Sequence, residues 1–422
     1  MQTGPSADAL DARDSLADHA REFAKPPGSI YLDGNSLGLM CRPAEAALRA
    51  AMDKWSEQAI LGWTSGPNPW FEMPRSVAAL LAPLVGAEAG DVMVGQSTTV
   101  NLHQLLATFY DPAGSRPRLL IDAHSFPTDR YAVESHLRLR GRGPARDLVI
   151  VGSPDRELLD EDEVVAAFDG TVGLAVLPSV LYRSGQLLDM NHITQAARTE
   201  GALVAWDCSH SAGVVAHQFR SDDIDLAFGC TYKYLNGGPG AAAFLYVHPR
   251  WRERGPGLAG WFGCDPDRQF DMEPTFHPAA DAGRFLLGTP HVFSLAPLLG
   301  SLSLIQRAGV SALRQKSLDL TAFLRRQIET RLSSFGVSVI TPCEDHCRGG
   351  HLALAHPDAG RLSRALRQRG VIPDFRPPNL LRLAPAPLYT SFVECARAVA
   401  ILEDILTSKA HERMPAHDER VT

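Results

Sequence analysis

Seven short, uniformly apolar runs recur between residues 75 and 250, and that recurrence constrains the fold more than any other feature. The runs are DVMVG, RLLIDA, DLVIVG, VGLAVLPSV, ALVAWD, IDLAFG and AAAFLYV. Each is too short for a helix, and helical patterns lie between most of them. Strands alternating with helices build βαβ units and a mainly parallel sheet. The runs do not alternate apolar with polar residues, as expected when both sheet faces are covered.

The flanks read differently. Residues 1–30 read as an N-terminal helix stopped at Pro26-Pro27-Gly28. YLDGNSLGL at 31–39 reads as an extended, glycine-containing loop, and a helix follows over roughly Pro43 to Ile60. A glycine- and proline-rich stretch, Gly62 to Pro67, breaks that pattern. A long helical pattern runs from about 291 to 330, with a break at Gly309. The rest reads strand, strand, helix, strand, helix, a small α+β unit. The expected architecture is α/β: an N-terminal segment (1–60) joining the small domain, a large domain (61–290) with a seven-stranded sheet, a small α+β domain (291–410), and a disordered tail (411–422).

A chain of 422 residues has ample length for such a core. Apolar residues make up 45% and charged residues 21%, the balance of a soluble globular protein. A net charge of -7 argues against a nucleic-acid groove. No stretch of about 18 apolar residues suggests a membrane span. The polar, acidic start lacks the basic and apolar regions of a signal peptide, so a cytoplasmic location is expected. The seven scattered cysteines suit reduced thiols. Cys343, His346, Cys347 and His351 match no zinc spacing well, and no metal is expected.

Five lysines occur in the chain, and Lys233 alone follows an apolar strand, in CTYKYLNGGPG at 230–240. A desolvated lysine at a strand end suits Schiff-base chemistry, and the glycines after it let backbone approach a ligand. The alternative is a surface lysine in a glycine-rich loop. Asp207 ends the run ALVAWD, and His210 lies three residues on. A carboxylate at a strand's C-terminal end faces the ligand crevice of an open α/β sheet and can pair with a pyridinium nitrogen. Its alternative is a helix cap with a core histidine. In QSTTVNLH at 96–103, hydroxyl residues open a helix directly after a strand, where free N–H groups favour a phosphate. In HSFPTD at 124–129, Phe126 is placed to lie on a flat ring, and Asp129 adds a second carboxylate. Asp207 and Lys233, in that order and 26 residues apart, follow a common plan of pyridoxal-phosphate (PLP) enzymes of the aspartate-aminotransferase fold.

Taken together, these stretches resemble the kynureninase family. The matching pieces run from YLDGNSLGL at 31–39 to RLAPAPLYTSF at 382–392 and so cover nearly the whole chain. STTVNLH, FPTD, WDCSHSAG, GCTYKYLNGGPG and GWFG are the most specific. The resemblance implies PLP fold type I and hydrolysis of kynurenine, or a ring-substituted kynurenine, to anthranilate and alanine. It implies that Lys233 bonds the cofactor and shuttles protons, with Tyr232 as a proton donor. Cofactor contacts would come from Thr98, Thr99, Phe126, Pro127, Thr128, Asp129, Asp207, His210, Tyr232, Trp261 and Thr289. Substrate contacts would come from Asn35, Ser36, Trp63, Thr289 and Arg382, the arginine clamping the substrate carboxylate. The family resemblance also implies a homodimer, with Trp261 reaching the phosphate from the partner subunit. Trp63 with Thr289 is similar to the kynurenine-preferring bacterial type, where a His/Asn pair marks the hydroxykynurenine type.

Two departures stand out. Pro290-His291 follows Thr289 where the family usually has its proline one position later, and Pro178 replaces a common small hydroxyl residue, with Ser179 beside it. The rival readings are a class V aminotransferase, a cysteine desulfurase, or a binding protein that kept the fold without catalysis. No cysteine here sits in an evident glycine-rich active loop, and Lys233, Asp207 and Arg382 are all present.

Overall fold

The computed structural model describes residues 5–415. From the N terminus, helix α1 (Ala7–Asp11), strand β1 (Ile30–Tyr31), helix α2 (Arg42–Gln58) and helix α3 (Met73–Leu81) precede the alternating region. That region runs β2 (Val92–Val94), α4 (Thr98–Phe109), β3 (Arg118–Asp122), α5 (Pro127–Leu139), α6 (Pro144–Asp147), β4 (Leu148–Val151), α7 (Glu161–Ala166), β5 (Val172–Pro178), α8 (Met190–Thr199), β6 (Leu203–Asp207), β7 (Leu226–Gly229) and β8 (Phe244–Val247). All seven apolar runs are strands of one sheet, in the order β2-β8-β7-β6-β5-β3-β4. Strand β8 is antiparallel to both neighbours, and the other pairs are parallel. The inner strands are buried on both faces, which is why their sequences carry no alternation.

The order reverses between β3 and β5. The chain leaves β3 for β4 at the edge and returns to β5 on the other side. Pro178 pairs across from Asp207, and Asp207 from Phe228, so the C-terminal ends of β5, β6 and β7 lie level. Loops diverge at such a switch point and leave a crevice.

After the sheet come α9 (Val292–Ala308) and α10 (Val310–Leu332), parted at Gly309, whose φ of +81° a residue with a side chain rarely adopts. The chain continues with β9 (Ser338–Val339), β10 (Leu352–Ala355), α11 (Ala359–Gln368), β11 (Val371–Ile372), β12 (Asp374–Arg376), β13 (Leu380–Leu383) and α12 (Phe392–Thr407). An antiparallel sheet forms in the order β12-β13-β10-β9. Strand β1 pairs parallel with β11, and Asp33 bridges to Ala384, so the 33–36 loop returns to the end of β13. Ile30 and Leu32 are buried with the core of this small sheet, whereas Ala44 and Ala51 of α2 and Leu295 to Ile305 of α9 are buried with the large sheet's core.

Three local expectations change. The helix expected over 1–30 is only α1 plus a 3-10 turn at Ala17–Glu22. The acidic residues that would extend it serve distant groups. Asp11 accepts from the Phe392 and Val393 N–H groups that open α12, and Asp14 pairs with the buried Lys316 at 2.6 Å. Two short strands, β11 and β12, were not foreseen. The chain after α12 also stays ordered beyond residue 410: Ala410–Arg413 form a 3-10 turn with His411 buried. The remainder of the expected tail, 416–422, lies outside the described residues. No helix among the described residues is long and apolar enough to cross a membrane.

Candidate active site

Asp207 stops β6 at the crevice. Its Oδ1 accepts from the Ser209 N–H at 2.8 Å, which turns the chain and carries His210 inward. The loop after β7 closes on itself through Thr231: its hydroxyl donates to the Ala242 carbonyl at 2.7 Å, and its own carbonyl accepts from the Gly237 N–H at 2.9 Å. That closure holds Lys233 over the strand ends, with Nζ 2.8 Å from His210 Nε2. The 33–36 loop continues onto the same place, because the Gly38 N–H donates to the Tyr232 carbonyl at 2.8 Å. A Cβ at Gly38 would collide with the Lys233 carbonyl and Asn236, so only glycine allows this approach.

A cavity of ≈ 390 Å³ lies at this point, lined by Lys233, Asp207, His210, Tyr232, Thr98, Thr99, Phe126, Thr128 and Asp129. The start of α4 forms one wall. Ser97 caps the helix by accepting from the Val100 N–H at 3.4 Å, and first-turn amides have no partner within a helix. Thr99 Oγ1 lies 2.7 Å from Thr128 Oγ1, which ties the start of α4 to the start of α5. Phe126 stands 41% exposed at the mouth, edge-on to Tyr182. Pro127 opens α5 and fixes the turn that presents Phe126, without lining the cavity itself.

The electrostatics divide the site. Burial, then the Asp207 and Asp122 carboxylates, push Asp129 well above the usual carboxylate range, and Asp129 hydrogen-bonds Asp207. Asp129 is thus pushed toward its protonated form. Burial, then Lys233 and Arg382, hold His210 well below the ordinary imidazole range, so His210 is neutral. A neutral ring leaves one nitrogen free to accept from Lys233. Burial raises the Tyr232 phenol, which keeps it a donor.

Arg382 is fully buried on β13. It pairs with Asp374, donates to the Tyr182 carbonyl at 2.5 Å, and reaches Ser36 Oγ at 3.4 Å. Asn35, also fully buried, has no hydrogen-bond partner on either side-chain atom. These three sit together behind the cavity and do not line it. Trp63, Trp261 and Thr289 lie apart from it within one chain. Trp63 packs on Trp70, Phe71 and Phe262. Trp261 is 44% exposed and donates to the Gln269 carbonyl at 3.1 Å, and Thr289 is exposed.

Sequence reasoning gave no individual role to several lining residues. Gln96, Ser97, Val180, Tyr182, Ser209, Gly240, Ala241 and His291 all face the cavity. Tyr182 and Val180 follow β5 directly, and position after a strand end was the available signal. Pro178 lines the cavity, whereas Ser179 turns away and is consumed by the Asp207 carbonyl at 3.0 Å and Ser211 Oγ at 2.6 Å. Ser179 thus supplies no hydroxyl in place of the one lost at 178. Among the described residues, no group of three or more His, Cys, Asp or Glu side chains is placed to hold a metal ion.

The donor set suits PLP. An amine and a carboxylate share one cavity, a helix start and three hydroxyl residues supply anion-binding groups, and an exposed phenylalanine offers a ring face. Solved structures share the fold: the cystine C-S lyase C-DES with its product cysteine persulfide (TM-score 0.77, 18% identity, 90% of this chain and 98% of that one), and the apo cysteine desulfurase of Thermococcus onnurineus (TM-score 0.73, 16% identity, 97% and 100%). Fold and site thus define a PLP enzyme of fold type I. The more specific similarity lies in sequence. Kynureninase of Geobacillus thermodenitrificans is 48% identical over 98% of this chain and 96% of its own length, and that of Bacillus anthracis 47% over 96% and 94%. The family model for the kynureninase C-terminal domain matches residues 313–402. The chain belongs to the kynureninase family.

Proposed function

We propose that the chain hydrolyses L-kynurenine, or a ring-substituted kynurenine, to anthranilate and L-alanine with PLP as cofactor. The observation that carries this reading is the single cavity that joins Lys233, Asp207, Asp129 and His210 at the sheet's switch point. Lys233 is the residue proposed to bond the cofactor, Asp207 to face its ring nitrogen, and Phe126 to cover its ring. Thr98, Thr99 and the start of α4 would hold the phosphate, with Thr128 closing the wall. Bound PLP supplies an electron sink that makes a substrate α proton acidic.

The rest is chemistry of the chain. Lys233 Nζ takes and returns that proton, with His210 Nε2 as its hydrogen-bond acceptor. Protonated Asp129 keeps Asp207 oriented and leaves its charge toward the ring nitrogen. Tyr232 donates a proton to the alanyl carbon after the C–C bond breaks. Arg382, reached through the Ser36 edge of its guanidinium, binds the substrate carboxylate, and Asn35 offers its unpartnered amide to the same substrate. Trp63 and Thr289 are proposed to line the aryl pocket. The reading includes a cytoplasmic homodimer in which Trp261 and Thr289 reach the partner's cavity; their exposure and separation from this chain's own cavity support it.

The test is direct. Purified protein with PLP should show the visible absorption band of the lysine-bound cofactor. L-kynurenine should then yield anthranilate and alanine in equal amounts. A band without cleavage would turn the reading toward transamination or desulfuration. No band would remove Lys233 from its role.

A further inference from the structure

His351 lies just ahead of β10, fully buried, in none of the roles above. Neither of its ring nitrogens has a hydrogen-bond partner. The ring stands 5.9 Å from the His210 ring, centroid to centroid and tilted by 57°. His210 Nδ1 is also buried and unpartnered. Buried polar atoms are nearly always bonded, to protein or to ordered water. Three orphaned nitrogens thus lie on two neighbouring rings.

The other neighbours do not satisfy them. The Tyr182 carbonyl accepts from Arg382 Nη1 at 2.5 Å and also acts on the His351 ring, without meeting hydrogen-bond geometry to either nitrogen. Arg382 donates to Asp374, Tyr182 and Ser36, and none of these bonds reaches either histidine ring. Gly185, at φ +75°, is held close beneath the His351 ring, where a Cβ would lie 3.2 Å from Nε2. A water needs about two to four polar partners, and this place offers three nitrogens.

We propose that one buried water bridges His210 Nδ1 and His351, which makes His351 a positioning residue for Lys233. The inference rests on Lys233 being the cofactor-bonding lysine. Lys233 Nζ stands 2.8 Å from His210 Nε2, and where the lysine donates across that contact Nε2 is the acceptor. The His210 proton then belongs on Nδ1. The water accepts that proton and donates to the lone pair of His351. The bridge holds the His210 ring in one tautomer and one orientation, as outer partners orient catalytic histidines elsewhere. Burial, then Arg382 and Lys233, keep His351 well below the ordinary imidazole range, so it acts as a neutral acceptor.

The test uses the PLP-loaded enzyme and two variants. A crystal structure of the parent should show a water within hydrogen-bond distance of His210 Nδ1 and a His351 nitrogen. Imidazole 15N shifts should report His210 as the Nδ1–H tautomer. His351→Leu should keep the visible band, lose the water and mix the His210 tautomers. Its kcat should fall about tenfold, below what a directly acting acid or base contributes, with KM within about twofold. His351→Gln retains a donor and an acceptor and should hold the water, the tautomer and most of kcat. A purely structural role would lower thermal stability in both variants and leave tautomer and kcat alone. Parental kcat in His351→Leu, or His210 Nδ1 bonded to protein with no water, would overturn the bridge. Absence of the band in the parent would instead remove the Lys233 reading, which the water and tautomer measurements do not need.

Discussion

Two regions proposed to share one reaction are built in opposite ways. The strand-end wall with Asp207, His210 and Lys233 is enclosed by its own chain, and each group there has a neighbour within hydrogen-bond reach. The segment from 258 to 290, with Trp261 and Thr289, buries part of its length and leaves several large side chains exposed. Leu258, Trp261, Phe270 and Met272 are 38%, 44%, 61% and 73% exposed. A monomer rarely leaves so many large apolar side chains together in water without a use for them. One region therefore carries chemistry that a single chain can assemble, and the other carries apolar surface that the proposed dimer would cover.

The enclosed wall predicts the largest losses. Lys233→Ala should abolish the visible band and lower anthranilate formation by about 10⁴-fold or more, since it removes both the covalent attachment and the proton carrier. Asp207→Asn should keep the fold and lower kcat by about 10²–10³-fold, the scale of one lost electrostatic stabiliser. Asp129→Asn should cost less than Asp207→Asn, because Asp129 already carries the proton. If the two asparagine variants were equally damaged, the division of labour between the carboxylates would be wrong.

The open region predicts recovery by mixing. Lys233→Ala and Trp261→Ala chains should each be poorly active alone. Refolded together, half of the dimers are hybrids, and each hybrid has one site with both residues intact. Recovery of about a quarter of parental activity follows from two-fold symmetry. No recovery on mixing, with dimers confirmed by light scattering, would place Trp261 in its own chain's site.

How far the sequence reveals each region follows the same division. Seven apolar runs identify seven strands because double-sided burial writes itself into composition, and Asp207 and Lys233 are visible as polar residues at strand ends. The break at Gly309 and the helix over 392–407 are equally plain, and the structure adds a Ser391/Glu394 capping box at the start of the latter. What stays hidden is tertiary. Asp11 and Asp14 look like helix residues until Phe392 and Lys316 are placed beside them. The short strand β12 carries Asp374, whose charge makes sense only against Arg382. His351 reads as part of a cysteine–histidine cluster, and only the fold sets it against His210. Tyr182 and His291 have no motif of their own.

The small-sheet side of the cavity offers a test that is independent of catalysis. Burial, then Asp374, raise Asp33 to about 6, with Ser36 and Arg382 opposing. The folded value lies above the ordinary aspartate value of about 3.9. Stability from this group is thus fully present below pH ~4 and is lost as pH rises through about 6, amounting to about 3 kcal/mol. Asp33→Asn should flatten that loss: its melting temperature should gain on the parent between pH 4 and 7. A parallel pH dependence in both proteins would mean that Asp33 is not buried as a strained carboxylate.

The smallest effect expected is on ring selectivity, where the two regions meet. Trp63 packs at 5.5 Å, edge-on, against Trp70 and at 5.1 Å against Phe71, and Phe262 joins them to the Trp261 segment. If Trp63 faces the aryl group across the dimer, Trp63→His with Thr289→Asn should raise the kcat/KM ratio of hydroxykynurenine to kynurenine by about tenfold, the range set by one pocket contact. Thr289→Asn alone should shift the ratio less and leave stability unchanged, because Thr289 is exposed. Trp63→His alone should lower the melting temperature, since it opens the aromatic cluster. A melting shift without any change in the ratio would assign Trp63 to packing only, and would move the aryl pocket to the cavity residues that follow Thr289, beginning with His291.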